Sequence, residues 1–201
     1  LNIKYKDILK ANKWLELVIE HEERKSLKIK GNDVPWSITE EEFEFIYNVI
    51  KDRKLKRGFE VGTAFGISAL AAGLALKRNE GRLVSMDCWE ENPACFNFSK
   101  RLIKQYKLEK IICLKTGSSP QDSIPRVNEE FEENELLDYV FIDATHNDTA
   151  VLIDFKAIEE KLDKKAIVLF HDGFGGEIGA QAIPQLKDPH GFRMMMLEIE
   201  K

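Results

Sequence analysis

From Gly58 onward, short apolar runs alternate with helical patterns, and that alternation leaves few folds open. Gly58–Gly62 reads as a strand and Ile67–Leu76 as a helix of small residues. Arg82–Asp87 is a second strand, and Pro93–Tyr106 a helix with proline in its first turn. Strands follow at Ile111–Leu114, Leu137–Asp143, Ala166–Phe170 and Phe192–Ile199, with a helix at Thr149–Leu162. The near-continuous apolar character of Leu137–Asp143 marks a central strand covered on both faces. The expected fold class is α/β: a Rossmann-like, mostly parallel sheet with helices on both faces. Such sheets bind ligands at the carboxyl ends of their strands.

The first 57 residues follow a different pattern. Ile8, Ala11, Leu15 and Val18 recur at helical spacing. Thr39 with Glu42 three residues later forms a capping box that opens a helix through Phe43, Ile46 and Ile50. Between the two, Lys25–Trp36 is a polar loop holding Gly31 and Pro35. The expected division is therefore a helical extension or lid at 1–57 and a ligand-binding domain at 58–201. Thirty Lys+Arg against 35 Asp+Glu give a net charge of −5, which argues against nucleic acid as the main partner. No apolar run reaches the ~20 residues of a membrane span. Three cysteines without a signal peptide read as reduced thiols, and the expected location is cytoplasmic.

The stretch Glu60-Val-Gly-Thr-Ala-Phe-Gly-Ile-Ser68 lies between a strand and a helix, where glycines let the backbone turn and approach a ligand. It is not G-x-G-x-x-G, because Ala64 stands two residues after Gly62. Asp87, 21 residues after Gly66, ends the next strand, where an acidic side chain grips an adenosine ribose. A dinucleotide would bring its pyrophosphate close to Glu60, a poor neighbour for an anion. A ligand carrying an ammonium and a sulfonium suits Glu60 better.

These residues resemble the class I S-adenosylmethionine-dependent methyltransferases. Within them, the chain is similar to the small O-methyltransferases related to catechol O-methyltransferase and to the methyltransferase-24 group. The resemblance runs from Gly58 to His171 and rests on five ordered motifs. They are Glu60 with Gly62 and Phe65-Gly66-Ile67-Ser68, then Asp87, then Gly117-Ser118-Ser119, then Phe141-Ile142-Asp143 followed by His146, and finally His171-Asp172. The resemblance implies that Glu60, Gly62, Thr63, Ala64, Gly66 and Ser68 cradle S-adenosylmethionine and that Asp87 holds its ribose. Gly117, Ser118 and Ser119 would contact the adenine, Cys88 and Trp89 would stand beside it, and Asp143 would touch the cofactor as well. Ala64 departs from the glycine often found there. Gly173 stands where metal-dependent relatives place an Asn or Asp ligand, which weakens the metal site.

Methyl transfer to a hydroxyl also needs the hydroxyl's proton removed, and two routes fit. Asp143 and Asp172 would hold Mg²⁺, which lowers the acceptor's pKa. Alternatively, His146 or His171, with an unperturbed pKa near ~6.5, would take the proton as general base. Asp143, His146, His171 and Asp172 are thus the catalytic candidates. Each also has a plain structural reading: Asp143 and Asp172 as helix caps, His146 as a cap of the Thr149 helix, Trp89 as the edge of a core. Asp154 reads as part of a solvated helix face, His21 and His190 as surface residues, and Met194–Met196 as core. Trp14, Trp36 and Phe43 are candidates for an acceptor pocket, and the N-terminal helices for a homodimer contact. The resemblance further leads one to expect another antiparallel strand after Phe192–Ile199, so the sheet is either reduced or continues beyond the sequence given. The competing functions are a non-catalytic S-adenosylmethionine-binding scaffold and an NAD-dependent oxidoreductase.

Overall fold

The computed structural model describes residues 5–11, 37–90, 93–145, 148–171 and 194–199. Helices α1 (Tyr5–Ala11) and α2 (Glu40–Arg53) precede strand β1 (Arg57–Val61). The chain then runs α3 (Ile67–Arg78), β2 (Arg82–Asp87), α4 (Pro93–Gln105), β3 (Ile112–Thr116) and α5 (Ser123–Asn128). It continues through β4 (Leu137–Ile142), α6 (Asp148–Ile158), β5 (Leu162–His171) and β6 (Met194–Glu198). The sheet order is β3-β2-β1-β4-β5-β6. The first five strands in sequence pair parallel, while β6 runs antiparallel to β5. This is the mostly parallel α/β sheet that the alternation predicts.

Side chains of the strands alternate between two cores, as the period of an extended chain requires. Tyr139, Phe141, Ile167 and Leu169 face the layer of α1–α4. Val140, Ile142, Val168 and Phe170 face α5 and α6, against Val127, Phe155 and Ile158. Sequence periodicity did not reveal α5, a six-residue polar segment with Pro125 inside it. Helix α6 ends at Ile158 in a turn, Glu159–Lys161, so β5 starts four residues earlier than its apolar run suggests. Asp154 departs from its expected place on a solvated face: it is buried. In α6 it stands among Val151, Leu152, Ile153 and Phe155, a helix apolar over most of its surface.

The helix before β1 belongs to the same core as the sheet. Phe43, Ile46 and Ile50 of α2 are buried together with Leu70, Leu76, Phe141 and Leu169. Asn79, just past α3, donates to the carbonyls of Ile50 and Leu55 at 2.9 and 3.0 Å and so satisfies the C-terminal end of α2. We therefore propose residues 37–57 as an integral layer of the fold, in place of the boundary expected after residue 57. Replacing the fully buried Ile46 by Ala removes about three methylene-sized groups and leaves a cavity, a change that costs ~2–5 kcal/mol. Denaturant unfolding of Ile46→Ala should show one cooperative transition shifted by that amount. A small early transition ahead of an unshifted main one would mean that the helix is a separate lid.

Candidate functional site

Strand register sets the site's geometry. Val61 is level with Met86 on one side and with Ile142 on the other, and Ile142 is level with Phe170. The next row along the carboxyl edge is therefore Asp87, Gly62, Asp143 and His171. Two backbone hydrogen bonds carry the ladder into that row, Gly62 N–H to Met86 O at 3.0 Å and Asp143 N–H to Val61 O at 2.9 Å.

The loop over this edge turns left-handed three times, with φ of +89° at Gly62, +46° at Ala64 and +78° at Gly66. A Cβ on Gly62 would lie 2.0 Å from the carbonyl oxygen of Asp143, so the backbone of β4 excludes any side chain there. Ala64 holds the same hand of turn at a cost glycine would avoid. Gly66 is the N-cap of α3 and offers no side chain, leaving the first N–H groups of that helix uncapped by any side chain.

Three carboxylates gather beneath and beside the loop. Glu60 is fully buried: Ser85 donates to it at 2.5 Å, Ser68 also bonds it, and Thr63 lies 2.6 Å from Ser85. Ser85 is the register partner of Glu60 on β2. Burial pushes the Glu60 carboxyl up to about 7; the two serines oppose that shift, while Asp143 and Asp87 add to it. Asp87 accepts N–H bonds from Ala64 at 2.6 Å and Cys88 at 2.7 Å. Its carboxyl is also raised by burial, with these N–H groups pulling the other way.

Cys88 and Trp89 part company after β2. The indole of Trp89 is buried against Phe96, and its Nε1–H donates to Lys115 O at 3.0 Å, so it closes the edge of a core. Cys88 Sγ stands 3.2 Å from Ser118 Oγ beside the 117–119 turn. That turn is braced from behind. Ser118 N–H donates to Asp122 at 2.8 Å, Ser123 donates to Ser119 at 3.1 Å, and buried Asp154 bonds Ser119. The sequence reading missed Asp154; its one signal was a carboxylate inside an otherwise apolar helical run.

At the far end of the row, His171 lies between two carboxylates. Its Nδ1 is 3.2 Å from Asp143 Oδ1 and its Nε2 is 3.4 Å from Glu42 Oε2, so each ring nitrogen faces a carboxylate oxygen. The Phe141 ring stands edge-on to the imidazole at 6.1 Å. The side chain of Asp143 is 19% exposed against 8% for His171, so of the pair the carboxylate is the more open to solvent. Glu42 entered the sequence reading only as half of a capping box. His146 and Asp172, with Trp14, Trp36, His21 and His190, lie outside the described residues. Among the described residues no group of three His, Cys, Asp or Glu side chains converges as metal ligands.

The layered sheet and the glycine loop over its carboxyl edge define a Rossmann-like ligand-binding domain. Residues 59–173, more than half of the chain, match the family model described as "Methyltransferase domain", and the protein belongs to that family. Among solved structures, it is similar to the O-methyltransferase TomG of Streptomyces achromogenes, involved in tomaymycin synthesis and solved with SAM. That likeness has a TM-score of 0.68 at 14% identity and covers 94% of this chain and 89% of that one. An O-methyltransferase from Bacillus cereus in complex with SAH gives 0.67 at 15% identity, covering 97% and 90%. The SAH-bound methyltransferase PaMTH1 of Podospora anserina gives 0.65 at 18% identity, covering 100% and 98%. At these identities the likeness is one of fold.

Glu60 supplies a test of the packing beneath the loop. Its folded pKa lies above the ordinary carboxylate value, so the folded state holds the proton more tightly than the unfolded chain does. The resulting stability is complete below about pH 4.5 and is lost as pH rises through about 7, on the order of 3 kcal/mol in all. Glu60→Gln keeps an oxygen acceptor for the serines and removes the titration. Thermal unfolding of the ligand-free proteins should show the variant gaining on the parent between pH 5 and 8. A constant difference across that range would mean that the carboxyl does not titrate there.

Proposed function

We propose that this protein is an S-adenosylmethionine-dependent O-methyltransferase acting on a hydroxyl of a small molecule. The observation that carries the reading is the crowding of Glu60, Asp87 and Asp143 around the Gly62–Gly66 turn, where Asp143 and Asp87 raise the cost of ionising Glu60 and Asp143 that of Asp87. A cationic ligand relieves that crowding; the pyrophosphate of a dinucleotide aggravates it. The donor set also fits the remaining parts of S-adenosylmethionine. Asp87 would hold the ribose hydroxyls, the 117–119 turn with Cys88 would border the adenine, and the uncapped first turn of α3 would receive the amino-acid carboxylate. Bound there, the cofactor supplies an electrophilic sulfonium methyl group.

The protein's own part is to align the acceptor, worth up to ~7–11 kcal/mol, and to take its proton. We assign the proton to the Asp143–His171 pair. Asp143, the more open of the two, accepts it from the hydroxyl and becomes the neutral acid as the acceptor oxygen takes the methyl group, while the imidazole behind Asp143 orients the carboxyl. Glu60 and Thr63 act from beneath, holding the loop through Ser85 and Ser68. The Mg²⁺ route would require Asp143 together with Asp172, and chelation tests it.

Calorimetry should find S-adenosylmethionine binding and NAD not binding. Asp87→Ala should weaken the former ten- to a hundredfold, since charge-assisted hydrogen bonds are worth ~1.5–3 kcal/mol each. Equal affinity in that variant would remove Asp87 from the site. A panel of hydroxylated acceptors, assayed with Mg²⁺ and with EDTA, identifies the substrate and the route. At saturating S-adenosylmethionine, Asp143→Asn should turn over at least a hundredfold more slowly. Normal turnover would overturn the assignment of the pair, and collapse in EDTA with recovery in Mg²⁺ would replace it by the metal route.

A further inference from the structure

Glu42 is buried to a degree that its place in a capping box does not explain. Its Oε2 accepts the Thr39 N–H at 2.7 Å, and its own N–H donates to Thr39 Oγ1 at 3.2 Å. Such a box needs no burial and is worth ~1 kcal/mol. Yet the Glu42 side chain is 2% exposed, and burying a carboxylate costs several kcal/mol unless it is paired. The partner that offsets this is the His171 imidazole, at 3.4 Å from the same oxygen that serves the cap.

We propose that Glu42 is a positioning residue of the methyl-transfer site, holding His171 Nε2 so that Nδ1 is presented to Asp143. The inference rests on the reading that the Asp143–His171 pair takes the acceptor's proton. An imidazole has two ring nitrogens, and what one of them bonds decides the state of the other. With the Glu42 carboxylate at Nε2, the ring is held with Nδ1 towards Asp143. The Phe141 ring, edge-on at 6.1 Å, limits rotation of the imidazole about the line between Nδ1 and Asp143. Glu42 acts through His171. The helix that precedes β1 thereby supplies a third member to a site whose other two members end β4 and β5.

Three variants of the full chain test this: Glu42→Gln, Glu42→Ala and Thr39→Ala. Long-range proton–nitrogen NMR of the ligand-free protein reads the state of each nitrogen of His171 without any acceptor. In the parent, Nε2 should carry hydrogen. In Glu42→Gln the oxygen that serves Thr39 still faces Nε2, so hydrogen should stay there, whereas Glu42→Ala removes that acceptor and hydrogen should redistribute towards Nδ1. Thr39→Ala weakens the cap while leaving Glu42 in place. It should lower thermal stability, with the His171 spectrum and turnover unchanged. With the acceptor found in the panel, Glu42→Ala should lose about tenfold or more in kcat and Glu42→Gln less, with KM for S-adenosylmethionine within about twofold of the parent in both. An unchanged His171 spectrum in both Glu42 variants overturns the proposal. So does a changed spectrum with kcat retained, because Glu42 would then be structural only. Normal turnover of Asp143→Asn is a different failure: it would sink the reading of the pair while the spectrum still reported whether Glu42 holds His171.

Discussion

The approach of Gly62 to the backbone of Asp143 fixes the rest of the carboxyl edge. With 2.0 Å between a hypothetical Cβ and the Asp143 oxygen, β1 and β4 meet there backbone to backbone. That contact holds the first turn of the loop at φ +89° and lets the chain double back over the ends of β1 and β2. Asp87 closes the turn from the other side by accepting the Ala64 N–H at 2.6 Å. The cost of Ala64 in a left-handed conformation is carried by a loop clamped at both of its shoulders.

Packing the loop this tightly places carboxylates where water cannot screen them. Glu60 lies beneath it with two serines as its hydrogen-bond donors, and its carboxyl titrates near 7. Asp87 receives N–H groups, which partly offset its own burial. The crowding differs along the row. Beneath the loop it is met by hydroxyls and amides, which carry no formal charge; at β5 it is met by an imidazole, which can. The carboxylates at the loop are therefore crowded without a counter-charge, while Asp143 at the far end faces an imidazole. A ligand with a cationic centre and an acceptor that must lose a proton call for that division.

Much of this was legible in the sequence because it rests on short-range patterns. The apolar strand Leu137–Ile142, the turn residues Gly62 and Gly66, and Asp87 at a strand end follow from period and spacing alone. The capping box at Thr39 was legible for the same reason, since both partners lie within one helical turn. What periodicity could not give is which polar residues meet across elements. Ser85 reads as an interruption of an apolar strand until register sets it beside Glu60. Asp154 reads as solvated until the helix carrying it is packed against the 117–119 turn. Trp89 fits an adenine or a core equally well until its indole N–H is found on the Lys115 carbonyl. Glu42 is the extreme case, because its local role is complete without His171.

The double use of Glu42 bears on how the N-terminal helix relates to the chemistry. A surface capping box tolerates fraying, since water replaces either bond at little cost. Here, fraying of the first turn of α2 would take the carboxylate from His171 and leave the imidazole, 8% exposed, beside Asp143 alone. The carboxylate leaves the histidine only when that turn unwinds, which loss of the Thr39 hydroxyl alone does not bring about. Tyr5 of α1 donates to the Ile38 carbonyl just before the cap and packs edge-on to Phe43 at 5.8 Å, so α1 stabilises the same turn.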